Sequence, residues 1–267
     1  MNFCKLMKAL SDRMSRGAKA AVLAAVAAWL CVVPVRAQGP TLEVAAWVFP
    51  PFAYVDDSGE LQGRAVETVK RALAAMGYTP KMVLMPFKRC LANMQDGHMA
   101  IMLPCATSEE RRAYMQYSDP VFHITTVMWK KGSDMSSCWR DYQDLAGLRI
   151  GVGLGYSYGA KWDEAVASGA FTLDSSGGKS PELTHFQMAA AGRIDMFISD
   201  VNVGRFLKNR HAPEFDDIYP CPKVIGAERP FGAPISRKYF EDKGLSADEF
   251  LKRFNSVLRA LPPWQGG

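Results

Sequence analysis

Between Leu42 and Leu103 short apolar runs alternate with amphipathic stretches, and this alternation constrains the fold more than any other feature of the 267-residue chain. Leu42–Trp47, Lys81–Met85 and His98–Leu103 read as strands. Ala65–Met76, ended by Gly77, and Lys88–Gln95, closed by Asp96-Gly97, read as helices. A β-α-β-α-β order requires crossover helices, so it predicts a parallel sheet with helices packed on its faces, an α/β fold. The pattern returns later, with a strand at Arg149–Val152, a helix to about Ser168, a helix over 180–191, a strand at Met196–Ser199 and a helix at Val203–Asn209. His123–Lys130 alternates as a strand, Val224–Ala227 and Phe231–Ser236 read as two more, and Ala247–Leu261 has helical apolar spacing. Trp264 is expected to pack only.

Residues 1–37 stand apart. Lys5, Lys8, Arg13, Arg16 and Lys19 precede an apolar run from Ala20 to Val33, followed by Pro34 and Val35-Arg36-Ala37. A basic region, an apolar core and a small-residue site make a secretory signal peptide, expected to be cleaved after Ala37. The run is shorter than the roughly 20 residues of a spanning helix, so no membrane span is expected in the mature chain. Six of the 32 Lys and Arg and one of the 27 Asp and Glu lie in that leader, leaving 26 of each. A formally neutral mature chain gives no electrostatic support for a nucleic-acid partner.

Four cysteines remain: Cys90, Cys105, Cys138 and Cys221. An even number in an exported chain favours disulfides, with three pairings open. A helix and the strand it leads into usually pack together, which favours Cys90–Cys105 with Cys138–Cys221. Zinc is disfavoured because no spacing gives a paired C-x-x-C. No metal or other cofactor is expected.

The stretch Leu103–Phe122, LPCATSEERRAYMQYSDPVF, carries the strongest site signal. A buried strand stops at Pro104, and Thr107 or Ser108 is placed to cap a helix opening with Glu109 and Glu110. Arg111 follows, positioned to turn back toward the strand end, where a guanidinium and helix-start N–H groups would receive a carboxylate. An ordinary surface arginine on a capped helix is the alternative reading of this stretch alone.

Ser108-Glu109-Glu110-Arg111 followed by Tyr117-Ser118-Asp119-Pro120-Val121-Phe122 resembles the "T-x-x-R … F-S-x-P-Y" segment of the family 3 periplasmic solute-binding proteins, the amino-acid-type receptors of ABC importers. Further likenesses follow in order: Pro50-Pro51-Phe52, Asp144–Val152 against "D-L-x-G-x-x-V-G-V", and Gly192–Asp200 against "G-R-x-D-x-x-x-x-D". The resemblance implies a two-lobed type II periplasmic binding protein-like fold with two crossings, one of them at His123–Lys130. Lobe one would comprise 38–126 and 224–267, and lobe two 127–223. It implies Arg111 on the ligand carboxylate, Ser108 and Ser157 with it, and Asp200 on the ligand amino group. For Ser157 and Asp200 a plain N-cap is the competing role. Phe49 and Phe52 would supply an apolar wall, with Trp47 more in the core. Arg89 is read as a solvated helix arginine, with a second anion contact as the alternative. The chain departs from the family at Arg64-Ala65-Val66-Glu67 and at Pro104-Cys105-Ala106, where the family often carries head-group hydroxyls.

The expected function is therefore a periplasmic, monomeric solute receptor for a small carboxylate-bearing ligand, serving an ABC permease. A periplasmic accessory or sensor protein that binds another protein is the alternative, and a dehydratase-like enzyme on the same fold is a third. No catalytic group is assigned, because His98, His123, His185 and His211 are scattered.

Overall fold

The computed structural model describes residues 39–262. The leader, its cleavage site and Trp264 lie outside the described residues. Strand β1 (Thr41–Ala46) is flanked in parallel by β4 (Thr79–Leu84) and β5 (Ile101–Met102). Helix α1 (Arg64–Ala75) connects the two short strands β2 (Tyr54–Val55) and β3 (Leu61–Gln62) to β4, and α2 (Phe87–Gln95) connects β4 to β5. Ala65, Val66, Val69, Ala72 and Leu73 form the buried stripe of α1, the i, i+1, i+4, i+7, i+8 pattern of one helix face. The expected strand from His98 is shorter than read. The N–H groups of His98 and Met99 bond back to Asn93 O, so those residues finish the turn after α2.

After β6 (Cys105–Ala106) and α3 (Glu109–Arg112), the chain runs through β7 (Met115–Ile124) and then β8 (Thr126–Lys131). The strand read as His123–Lys130 is thus the meeting of two strands in different sheets. Pro120 had disguised β7. It sits where the pairing with β13 (Arg229–Ser236) shifts register, at a position that requires no ladder N–H. The first sheet has the order β4-β1-β5-β13-β6, with β7 also on β13, and β13 runs antiparallel to β5, β6 and β7.

The second sheet joins β10 (Thr172–Ser176), β9 (Arg149–Gly153), β11 (Met196–Asp200), β8 and β12 (Ile218–Val224), in that order. Strands β10, β9 and β11 run parallel, of which β9 and β11 were expected, and β8 runs antiparallel to β11. Strand β10 has no apolar signature because it is a largely exposed edge. Helices α4 (Ala160–Ala167), α5 (Pro181–Ala190) and α6 (Val201–Arg210) cover this sheet. Val224–Ala227 is not the expected strand. Val224 ends β12, Gly226 turns with φ +70, and the Ile225 N–H bonds to Thr126 O at 2.7 Å, so 225–228 is the return crossing. Helix α7 (Arg237–Asp242) leads to α8 (Ala247–Ala260), which is capped by Ser246 and packs Phe250 and Phe254 onto the first lobe.

Gly204 of α6 lies against the indole of Trp129, and a Cβ there would stand 2.0 Å from Trp129 Cζ2. Gly204→Val is expected to lose about 3 kcal/mol by overpacking, read as a lowered midpoint in urea unfolding. A stability within 0.5 kcal/mol of the parent, on the order of a neutral surface change, would count against that contact.

The cysteines correct one expectation. Cys138 and Cys221 form a disulfide, as expected. Cys90 and Cys105 do not: both are free, buried thiols. Cys90 Sγ faces the carbonyl oxygens of Ala46 at 3.5 Å and Met85 at 3.8 Å, while Cys105 lies in β6 toward Tyr117 and Arg111. Helix and strand do pack, but these side chains face different partners. Burial pushes the two thiols up to about 12 and about 11.

Among the described residues no helix is long and apolar enough to cross a membrane. Among them also, no cluster of three or more His, Cys, Asp or Glu side chains is arranged to hold a metal ion.

Candidate functional site

The two sheets meet where both crossings run side by side. Asp200, the last residue of β11, is 2 % exposed and caps α6. Its Oδ1 accepts from the N–H groups of Asn202 (2.8 Å) and Val203 (3.1 Å), and its Oδ2 accepts from Thr125 N–H (2.8 Å). One carboxylate thus caps a helix and fastens the first crossing. Burial raises its pKa, against the pull of those three donors.

On the first-lobe side Ser108 caps α3, its Oγ accepting from Arg111 N–H at 3.3 Å. This short turn aims Arg111 back toward the sheet. Its guanidinium donates to Ala106 O at 2.8 Å and, across the cleft, to Gly155 O at 2.7 Å, and stands over the Phe87 ring. Two of five guanidinium donors are thereby used. Arg229, at the start of β13, makes a parallel contact, donating to Ser157 O. Two arginines of one lobe therefore grip carbonyls two residues apart in one loop of the other.

That loop, between β9 and α4, was expected to start its helix near Ser157. The helix starts at Ala160 with Gly159, φ +102, as its cap residue. Ser157 is therefore a loop residue and not an N-cap. The later start leaves Tyr156 and Tyr158 free to fold inward, and Tyr158 Oη accepts from Gly153 N–H at 2.9 Å.

Arg111, Arg229, Ser157 and Asp200 line one narrow cavity of about 30 Å³. Trp47, Phe49, Phe87 and Phe231 form its first-lobe wall, and Tyr156 and Tyr158 face them. Tyr156 meets Phe87 and Trp47 edge to face at 4.9 and 5.7 Å. Among the expected site residues Phe52 lies behind that wall, stacked on Phe122 at 4.0 Å. Ser108 acts through the cap, outside the cavity lining. Arg89 is exposed on α2 and also outside it.

Four side-chain atoms of lining residues are buried without a protein hydrogen-bond partner: Thr126 Oγ1, Ser199 Oγ, Glu182 Oε2 and Arg229 Nε. Such groups are costly unless something completes them. The sequence reading missed Arg229, Glu182, Thr126, Ser199 and both tyrosines. Glu182 follows Ser180-Pro181 at a helix start, where exposed first-turn acids are common, so nothing local marks it. It is 2 % exposed, and Tyr156 Oη donates to its Oε1 at 2.8 Å.

Burial pushes Glu182 up to about 7, and pushes His185, one turn along the same helix, down to about 4. The signs oppose. Folded Glu182 retains a proton that the unfolded chain releases near 4.5, so stability present below that pH is lost as pH rises through about 7. His185 contributes stability present above 6.5, lost as pH falls toward about 4. Between these limits the two slopes nearly cancel. Glu182→Gln removes one of them, so its stability relative to the parent is expected to rise by about 3 kcal/mol from pH 4.5 to pH 8. Urea unfolding at both pH values checks this, and a constant difference would mean that Glu182 ionises normally.

A family model described as bacterial extracellular solute-binding proteins, family 3, matches residues 44–261, and the chain belongs to that family. The L-cystine-binding protein TcyJ of Escherichia coli K12 is 27% identical over 171 residues, 62% of this chain and 60% of that protein. The chain thus matches about three-fifths of the length of that curated relative. Among solved structures, an ancestral arginine-binding protein bound to arginine superposes with a TM-score of 0.70 at 21% identity, covering 84% of this chain and 92% of that one. Holo ArgBP from T. maritima gives 0.67 at 23%, covering 82% and 89%. A histidine kinase sensor domain with similarity to periplasmic binding proteins gives 0.67 at 18%, covering 84% and 91%. At these identities the solved structures establish the type II binding-protein fold alone.

Proposed function

We propose that this family 3 solute-binding protein works outside the cytoplasmic membrane, capturing an amino acid or close relative between its lobes and presenting it to an ABC permease. Its role is binding and not catalysis, in keeping with the family description. Supporting the reading most directly is the convergence of two guanidiniums and three further unpartnered polar atoms on one aromatic-walled cavity. Arg111 has donors left for a carboxylate while it holds the opposite lobe through Gly155 O. A ligand carboxylate on Arg111 and Arg229 would stabilise the closed lobes, because both arginines already bridge them. Asp200, Thr126 and Ser199 stand where an ammonium group could be received. The names of the relatives, cystine-binding and arginine-binding, agree with an amino-acid ligand. Export through the leader at 1–37 completes the reading.

Calorimetric titration of the chain from Gln38 onward, stripped of co-purified solute by unfolding and refolding, tests this. A micromolar or tighter constant, a binding free energy of roughly −8 kcal/mol or stronger, is expected for at least one amino acid. At about 100 times that constant the ligand should add roughly 2.7 kcal/mol to stability, a rise of several degrees in melting temperature. A folded protein that binds no carboxylate-bearing solute would sink the proposal.

A further inference from the structure

We propose that Glu182 forms a specificity subsite for a cationic group, an ammonium or guanidinium, at the side-chain end of the bound amino acid. The assignment rests on the cavity being the ligand site, and it deepens that reading. Glu182 comes from α5 of the second lobe, lines the cavity and is almost completely buried. The partners its carboxyl group already has are donors: its own backbone N–H and the Tyr156 hydroxyl, on Oε1 at 2.8 Å. Oε2 has none. Once ionised, as at pH 8, the carboxylate is an acceptor only, so what completes Oε2 there is a donor.

A charged donor fits better than a neutral one. No Lys or Arg among the described residues bonds to Oε2, so the protein supplies no countercharge there. In a buried setting a charge-assisted hydrogen bond is roughly twice as strong as a neutral one. The aromatic surroundings agree: Tyr156 hydrogen-bonds to Glu182, and Tyr156 in turn meets Trp47 edge to face in the same cavity wall. Aromatic faces attract cations and give nothing comparable to a carboxylate side chain. The cavity then divides its work. Arg111 and Arg229 take the α-carboxylate, Asp200 with Thr126 and Ser199 the α-ammonium, and Glu182 the distal cation. Aspartate and glutamate would place an anion against Glu182 and are rejected.

Matched pairs that differ only in distal charge test this: arginine against citrulline, and lysine against norleucine, titrated calorimetrically at pH 8. The parent is expected to bind the cationic member of at least one pair ten times more tightly or better. In Glu182→Gln, which keeps the side-chain shape, that preference should fall at least tenfold, while the neutral member binds within threefold of the parent. Retained binding of the neutral member also reports a folded site. Equal affinities within both pairs in the parent, or an undiminished preference in Glu182→Gln, would overturn the Glu182 subsite and leave the cleft reading standing. Failure of every amino acid to bind the parent would overturn both.

Discussion

Arg111→Ala is expected to weaken ligand binding by at least a hundredfold while the fold survives. The guanidinium is 4 % exposed and fixed on the Ala106 and Gly155 carbonyls, so it meets a ligand already oriented. Each charge-assisted hydrogen bond lost to a carboxylate costs about 1.5–3 kcal/mol. Two such bonds amount to roughly two to four powers of ten in affinity. The same change removes one bridge between the lobes, so closure loses stability with or without ligand. Arg111→Lys should rescue little, because an ammonium is a point charge and cannot hold two carbonyls and a carboxylate in one plane. Calorimetric titration of the parent and both variants with the best ligand checks this. An affinity within threefold of the parent in Arg111→Ala would remove Arg111 from the site.

The second large effect is on stability. Cys138 and Cys221 close a loop with a sequence separation of 83, which joins the segment before β9 to β12 across most of the second lobe. Chain-entropy arithmetic for a loop of that length gives about 4–5 kcal/mol, lost in the Cys138→Ser, Cys221→Ser double variant. For a chain of this size that is a fall in melting temperature of roughly 10–20 °C. Reduction of the parent should reproduce the loss, because Cys90 and Cys105 are already thiols. If a reductant destabilised the double variant further, a second disulfide would exist and the free-thiol assignment would fail. If the double variant melted with the parent, the loop would contribute nothing to stability.

Local features were legible in the sequence. The cap and arginine of α3 lie within four residues, and Ser108 does hold Arg111 N–H as read. The β-α-β-α-β order, the amphipathic last helix and the placing of Asp200 at a strand end also follow from near neighbours and periodicity. The Pro104-Cys105-Ala106 departure turns out to be a short strand, β6, whose Ala106 carbonyl steadies Arg111.

What the sequence alone determined is the β-α-β-α-β order of the first lobe and the family pattern, with Arg111 marked as a candidate, because hydrophobic period and helix capping act over a few residues. The tertiary structure decided the rest of the site. Arg229 and Ser157 are 72 positions apart and meet only because β13 returns to the first sheet while the β9–α4 loop belongs to the second. Glu182 and Tyr156 are 26 apart, and nothing near Glu182 in the chain distinguishes it from a solvated first-turn acid. Its raised pKa comes from burial, which depends on what packs over α5. The same holds for the thiols. Whether two cysteines bond is set by the direction of their Cβ vectors after packing, and Cys90 was turned toward the carbonyl groups of Ala46 and Met85.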